Sequence, residues 1–140
     1  MLGFILFTAI LFIYGILMSG AIWLPFVPDD HFRRRMKAFL GRDSVRLPAS
    51  WIAIVAGVWN IFAPDFGGMN SPTVLGALIP SVMLIIDGVI ICPESVRVIN
   101  IPKRVRDRWV FRILRLEKAA GPATILIAVL HAAFSDALLF

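Results

Sequence analysis

Asp87 interrupts an otherwise uncharged apolar run, Pro72 to Cys92, six positions before Pro93. On a helix that places it about 9 Å from the Pro93 end, at 1.5 Å per residue. A carboxyl group this deep in an apolar segment relays protons or cations, contacts a substrate, or neutralises a cation. Arg46 and Arg97 belong to neighbouring basic segments, so an ion pair with one of them is the expected arrangement. His131 and Asp136 lie five residues apart in the last apolar run, and Asn60 lies in the second. A histidine on a membrane helix can ligate haem, chlorophyll or a metal, or shuttle protons. A single His with no second ligand at i+3 or i+4 points instead to an interhelical hydrogen bond. Tyr14, in the first apolar run, is the other candidate partner, since a buried phenol needs a bond.

Recognisable catalytic patterns are missing. There is no nucleophile elbow, no H-E-x-x-H, no phosphate-binding glycine loop and no paired carboxylates with a base. The one cysteine, Cys92, forms no intramolecular disulfide and no structural zinc site. No catalytic residue, metal or cofactor is therefore expected.

The elements that must position these groups follow from composition. Of the 140 residues, 59% are apolar and 16% are charged, and the mean hydropathy is +0.87. Soluble domains carry roughly 45–50% apolar and about 25% charged residues. Too little polar surface is present to cover a water-exposed globule, so lipid is the expected solvent. Four apolar segments emerge: Leu2 to about Phe26, Ala49 to Ala63, Pro72 to Cys92, and Ala119 to Phe140. About 20 such residues cross a hydrocarbon core. Pro48, Pro72, Pro93 and Pro122 fall at or near helix ends, where a missing N–H does least harm. The first segment lacks a basic start and exceeds a usual signal-peptide core, so cleavage is not expected.

Charge orients these segments. All fourteen Lys and Arg residues fall in two stretches: residues 27–48 hold Arg33, Arg34, Arg35, Lys37, Arg42 and Arg46. Residues 93–118 hold Arg97, Lys103, Arg104, Arg106, Arg108, Arg112, Arg115 and Lys118. The positive-inside rule puts both stretches in the cytoplasm, and both termini and the Ala63–Pro72 turn outside a cell (inner) membrane. That turn is rich in Gly, Pro and Asn, the chemistry of tight re-entry. The net charge of +5 and pI near 10.4 fit anionic lipid headgroups as partner, with no nucleic acid required.

Both basic stretches carry helical patterning. In residues 30–41, Phe32, Met36, Phe39 and Leu40 share a face; Asp29 or Asp30 caps the start, and Gly41 suits a left-handed stop. In residues 103–118, Arg104, Arg108, Arg112 and Arg115 form one stripe beside Val105, Trp109, Ile113 and Leu116. Such helices lie in the headgroup region, apolar side down, with Arg33, Arg34, Arg35 and the second stripe reaching phosphates. The alternative for 103–118 is an extension of the fourth span packed on protein. Trp23 and Trp51 are expected interfacial anchors.

The chain also repeats. Gly20, Ile22 and Pro25 recur as Gly88, Ile90 and Pro93, and Pro48-Ala49-Ser50 recurs as Pro122-Ala123-Thr124. Each half is then helix, basic amphipathic stretch, helix: residues 1–68 and residues 69–140 of one membrane domain. Two-helix halves keep the same orientation, so the repeat is parallel, about an axis normal to the membrane. Ala49-Ser50-Trp51-Ile52, with Gly57, Trp59 and Pro64, resembles a helix of SPW-repeat membrane proteins. The resemblance covers about sixteen residues and lacks the Ser-Pro-Trp signature, since this chain has Ala63-Pro64-Asp65. It implies duplicated two-helix units and no defined chemistry.

The expected fold is an all-α, four-span membrane protein. The expected function is a non-catalytic scaffold, accessory subunit or assembly factor, acting as a homo-oligomer or with other membrane subunits. Small residues such as Gly15, Gly20, Ala53, Ala56 and Gly57 would let partner helices approach. The alternatives are an oligomeric transporter or channel unit using Asp87 and, least favoured, a membrane enzyme acting on lipid or quinone.

Overall fold

In the computed structural model, residues 2–63, 78–98 and 102–133 are described, with side chains left out at 96–98. The described chain is all helical, with no strands. Seven α-helices follow in order: α1 (Leu2–Met18), α2 (Gly20–Trp23), α3 (Asp30–Leu40), α4 (Asp43–Phe62), α5 (Leu78–Ile91), α6 (Lys103–Leu114) and α7 (Glu117–Ala133). Short 3₁₀ turns, Leu24–Phe26 and Pro93–Val98, follow α2 and α5.

α1 is apolar on every face and buries only the stripe Phe7, Thr8, Leu11, Tyr14 and Gly15. Its continuation into α2 breaks at Ser19, a Ser-Gly pair that bends the apolar run by 49°. α4 begins six residues earlier than the second apolar segment and takes Pro48 inside it, as α7 takes Pro122. Each proline falls in the second turn, where one backbone bond is lost and the helix continues.

Among the described residues, α4 alone is long and apolar enough to cross a bilayer by itself. The bent pair α1 and Gly20–Phe26 passes together, and α5 is a shorter apolar helix. The expectation of four such spans is thus met in part. The missing lengths of the third and fourth segments, residues 72–77 and 134–140, lie outside the described residues, as does the turn 64–72.

α4 packs antiparallel along α5, and α1 antiparallel along α7. α5 also touches α7 and α1, whereas α1 and α4 scarcely meet. Phe7, Leu11, Tyr14, Ala53, Leu84 and Ala128 fill the space between them. Glycines set the two close seams. A methyl group at Gly15 would sit 2.6 Å from Ile125 Cγ1, and one at Gly121 would sit 2.5 Å from the Ser19 nitrogen. Gly57 would meet Ile85 and the Ser81 carbonyl, and Gly88 would meet Ile54 and the Ser50 carbonyl, at 2.7–2.8 Å. Gly15 and Gly57 therefore serve packing within the chain, not the approach of a partner helix.

α3 starts where expected: the Asp29 carboxylate accepts from the backbone N–H of His31 at 2.8 Å and Phe32 at 3.2 Å. Gly41 departs from expectation. Its φ is −80°, in the right-handed region. Arg42, in extended backbone with φ −74° and ψ 130°, breaks the helix instead and leads into α4 at Asp43, so no left-handed stop is needed. α3 and α6 bury no residue and leave Phe32, Phe39, Val105, Trp109 and Phe111 exposed. Two residues, Arg115 and Leu116, separate α6 from α7, so the basic helix is distinct from the helix that follows.

Candidate functional site

α5 presents its polar residues to the interior. Ser81, Leu84, Asp87 and Gly88 lie on one helical stripe, and Ser81, Leu84 and Asp87 are fully buried. α4 meets them with Ser50, Ala53, Gly57 and Asn60, and α7 with Thr124, Ala128 and His131, each at helical spacing.

Asp87 has 0% exposure. The Thr124 hydroxyl of α7 donates to its Oδ2 at 2.7 Å, while Oδ1 has no hydrogen-bond partner among the described residues. The expected ion pair is not formed with Arg46. That guanidinium donates through Nε to the Ile91 carbonyl at 2.9 Å, at the end of α5. It is held one turn beyond Asp87 because the last carbonyls of a helix attract a cation. Ion pairs among the described residues include Arg33 with Asp30, Arg46 with Asp43 at 3.8 Å, and Arg106 with Asp107 at 3.5 Å. Arg97 carries no described side chain.

The other sequence candidates separate into layers. Asn60 donates from Nδ2 to Ser81 Oγ at 3.0 Å, joining α4 to α5. His131 lies fully buried against α1, its ring 5.1 Å from Phe4 and 5.6 Å, edge-on, from Phe7. Tyr14 donates to the Ala49 carbonyl at 2.6 Å, crossing from α1 to α4. Asp136 lies outside the described residues. Toward the basic end, Ser50 Oγ donates to Ser95 Oγ at 2.9 Å, and Ser95 Oγ to the Cys92 carbonyl at 2.7 Å. Asn60 with Ser81, Asp87 with Thr124, and Ser50 with Ser95 thus form three bonded steps down α5. Among the described residues, no three His, Cys, Asp or Glu side chains gather in a group that could hold a metal ion.

Ser50, Ser81, Ser95 and Thr124 were not among the sequence candidates. Ser50 and Thr124 lie seven residues before Gly57 and His131, a shared helix face that points inward only once the packing is known. The basic residues Arg34, Arg35, Arg104, Arg108, Arg112 and Arg115 are exposed, and Arg115 stacks 4.6 Å over the Phe111 ring.

A family model matches residues 1–131, nearly the whole chain. The chain belongs to that family. It is an uncharacterised family, to which no activity is attached. No curated protein and no solved structure matches this chain. The match spans the residues that carry every described polar layer.

Proposed function

We propose that this chain is a four-span membrane protein that works by association, as a scaffold, accessory subunit or assembly factor. The observation that carries the reading is an inverted distribution of polarity. Asp87, Asn60, Thr124, His131, Ser50 and Ser81 are sealed inside at 0% exposure, while Ile52, Val55, Trp59 and Phe62 on α4 and Leu126 and Val129 on α7 face outward. Water would favour the reverse; lipid requires this arrangement. Bent α1 with α2, then α4, α5 and α7 are the spans, with the termini outside and α3 and α6 on the cytoplasmic face. The exposed aromatic residues of α3 and α6, beside their arginines, support the interfacial position.

Tyr14, Ser50, Asn60 and Asp87 each spend a polar atom on a bond to another element. What remains to act through is the outer surface. Purification of the full chain in mild detergent tests this: a defined oligomer or a stoichiometric complex with other membrane subunits is expected. A monodisperse monomer that also remains monomeric when cross-linked in its own membrane overturns it.

The duplication is part of the reading. Gly15 against Ile125 and the Gly121 carbonyl matches Gly88 against Ile54 and the Ser50 carbonyl. Superposing these seams pairs α1 with α5 and α4 with α7 in parallel, in a register that differs from the recurring Gly-x-Ile and Pro-Ala motifs. In it Tyr14 corresponds to Asp87, Thr8 to Ser81, and Asn60 to His131.

A second reading, a transporter or channel unit, is favoured by one observation: Asp87 Oδ1 is buried with no hydrogen-bond partner among the described residues. A working carboxyl keeps an oxygen free for an ion or proton. Asp87→Asn would abolish ion-dependent uptake in proteoliposomes; uptake equal to the unmodified chain removes Asp87 from any pathway.

A further inference from the structure

The two equivalent contacts of the duplicated halves differ. Where α5 meets α7, the short Asp87 side chain bonds Thr124 and the helices close. At the corresponding place α1 carries the much longer Tyr14, which bonds the Ala49 carbonyl and leaves α1 and α4 apart. Below that bond the gap opens into a cleft of about 490 Å³. That volume lies within the roughly 300–1,000 Å³ of small-ligand sites.

The walls are aliphatic: Leu17 and Leu24 on one side, Leu40 from α3, and Ile90 from α5. Two cations, Lys37 and Arg46, line it with one carboxylate, Glu117. Arg46 is half-buried and held by the Ile91 carbonyl, so its position is set before any ligand arrives. Its Nη1 makes only a long contact with Asp43, whose side chain is 99% exposed, and this leaves the charge largely uncommitted.

We propose that this cleft holds one anionic phospholipid, its phosphodiester on Lys37 and Arg46 and an acyl chain between α1 and α4. The proposal rests on the membrane reading above. An aliphatic slot between two spans, opening beside basic helices, matches an amphiphile of the cytoplasmic leaflet better than a soluble anion, which has no use for the walls. α3 lines the cleft with Lys37 and Leu40, so the occupant must bring an anionic group as well as an apolar chain, which an apolar partner helix lacks.

The test uses the full chain in detergent, with phosphatidylglycerol or phosphatidylcholine added and bound lipid counted by native mass spectrometry. Retention of one phosphatidylglycerol, in preference to phosphatidylcholine, is expected. Lys37→Gln with Arg46→Gln should weaken it by about tenfold or more, and Arg46→Lys should restore much of the affinity. Gly20→Leu should block the slot with the cations intact, since a Cβ there meets only Leu24 at 3.6 Å and Leu40 at 3.9 Å. Equal binding of both lipids, or unchanged binding in the charge and Gly20 variants, overturns the proposal. Inorganic phosphate competing as well as the lipid also overturns it. Alkaline extraction separates the two readings: release from the membrane defeats the four-span reading, whereas retention with indifferent lipid binding defeats only the lipid site.

Discussion

Asp87, sealed in the bundle and held by the Thr124 hydroxyl, joins α5 to α7, and under the second proposed reading it also serves as a proton or cation site. The two uses respond differently to substitution. Thr124→Val leaves both Asp87 oxygens without a donor, at a cost of about 1–3 kcal/mol for a buried unsatisfied group. Asp87→Asn keeps an acceptor for Thr124 and should cost less, within about 1 kcal/mol. Thermal unfolding in detergent measures both, and an unchanged midpoint in Thr124→Val would show that the Thr124 bond contributes nothing. At this scale the sequence made Asp87, Asn60, His131 and Tyr14 conspicuous because polar groups are rare in apolar runs. Their partners were hidden for a physical reason. Ser and Thr are common enough in membrane helices to carry no signal alone, and whether Arg46 reaches Asp87 depends on helix ends, not on spacing. Arg46 found the Ile91 carbonyl, a partner that every helix terminus offers and no sequence marks.

Among the elements, glycine decides which helices touch. Gly121 of α7 lies against the bend between α1 and α2, and a methyl group there would fall 2.5 Å from Ser19 Oγ and from its backbone nitrogen. Gly121→Leu should therefore destabilise by about 1–3 kcal/mol or more, as overpacking against backbone does. Gly20→Ala, one residue beyond the same bend, should be tolerated. Unfolding midpoints of the two variants check the contrast, and similar losses would mean that the bend yields freely. At α3, Asp29→Ala removes the carboxylate that serves two orphan N–H groups and should cost about 1 kcal/mol, seen as faster amide exchange at His31 and Phe32. Most helices were legible from hydropathy and caps, with the end of α3 within a residue. The fracture at Ser19 and the passage of α4 and α7 through Pro48 and Pro122 were not. The first follows the Ser19-Gly20 pair and the others the tolerance of a helix for proline in its second turn, local backbone effects that composition averages over.

For the molecule as a whole, sidedness is the property on which the proposed membrane role depends. The two basic stretches are far apart in sequence, yet α3 adjoins the start of α4 and α6 the start of α7, and α4 and α7 begin at the same end of the bundle. If lipid surrounds the outward faces, α3 and α6 must therefore share one membrane surface, and positive-inside bias makes it the cytoplasmic one. The lone cysteine is buried, so Cys92→Ser provides a silent background for labelling. Single cysteines at Arg35 and Arg108 should react with a membrane-impermeant maleimide only after the cells are opened. One at Asn70, in the expected outer turn, should react in intact cells. Opposite behaviour of Arg35 and Arg108 would break the parallel duplication, because equivalent segments of parallel repeats cannot lie on different sides. Reaction at positions 35 and 108 but not at 70 in intact cells would invert the topology and move the Lys37–Arg46 cleft to the outer leaflet.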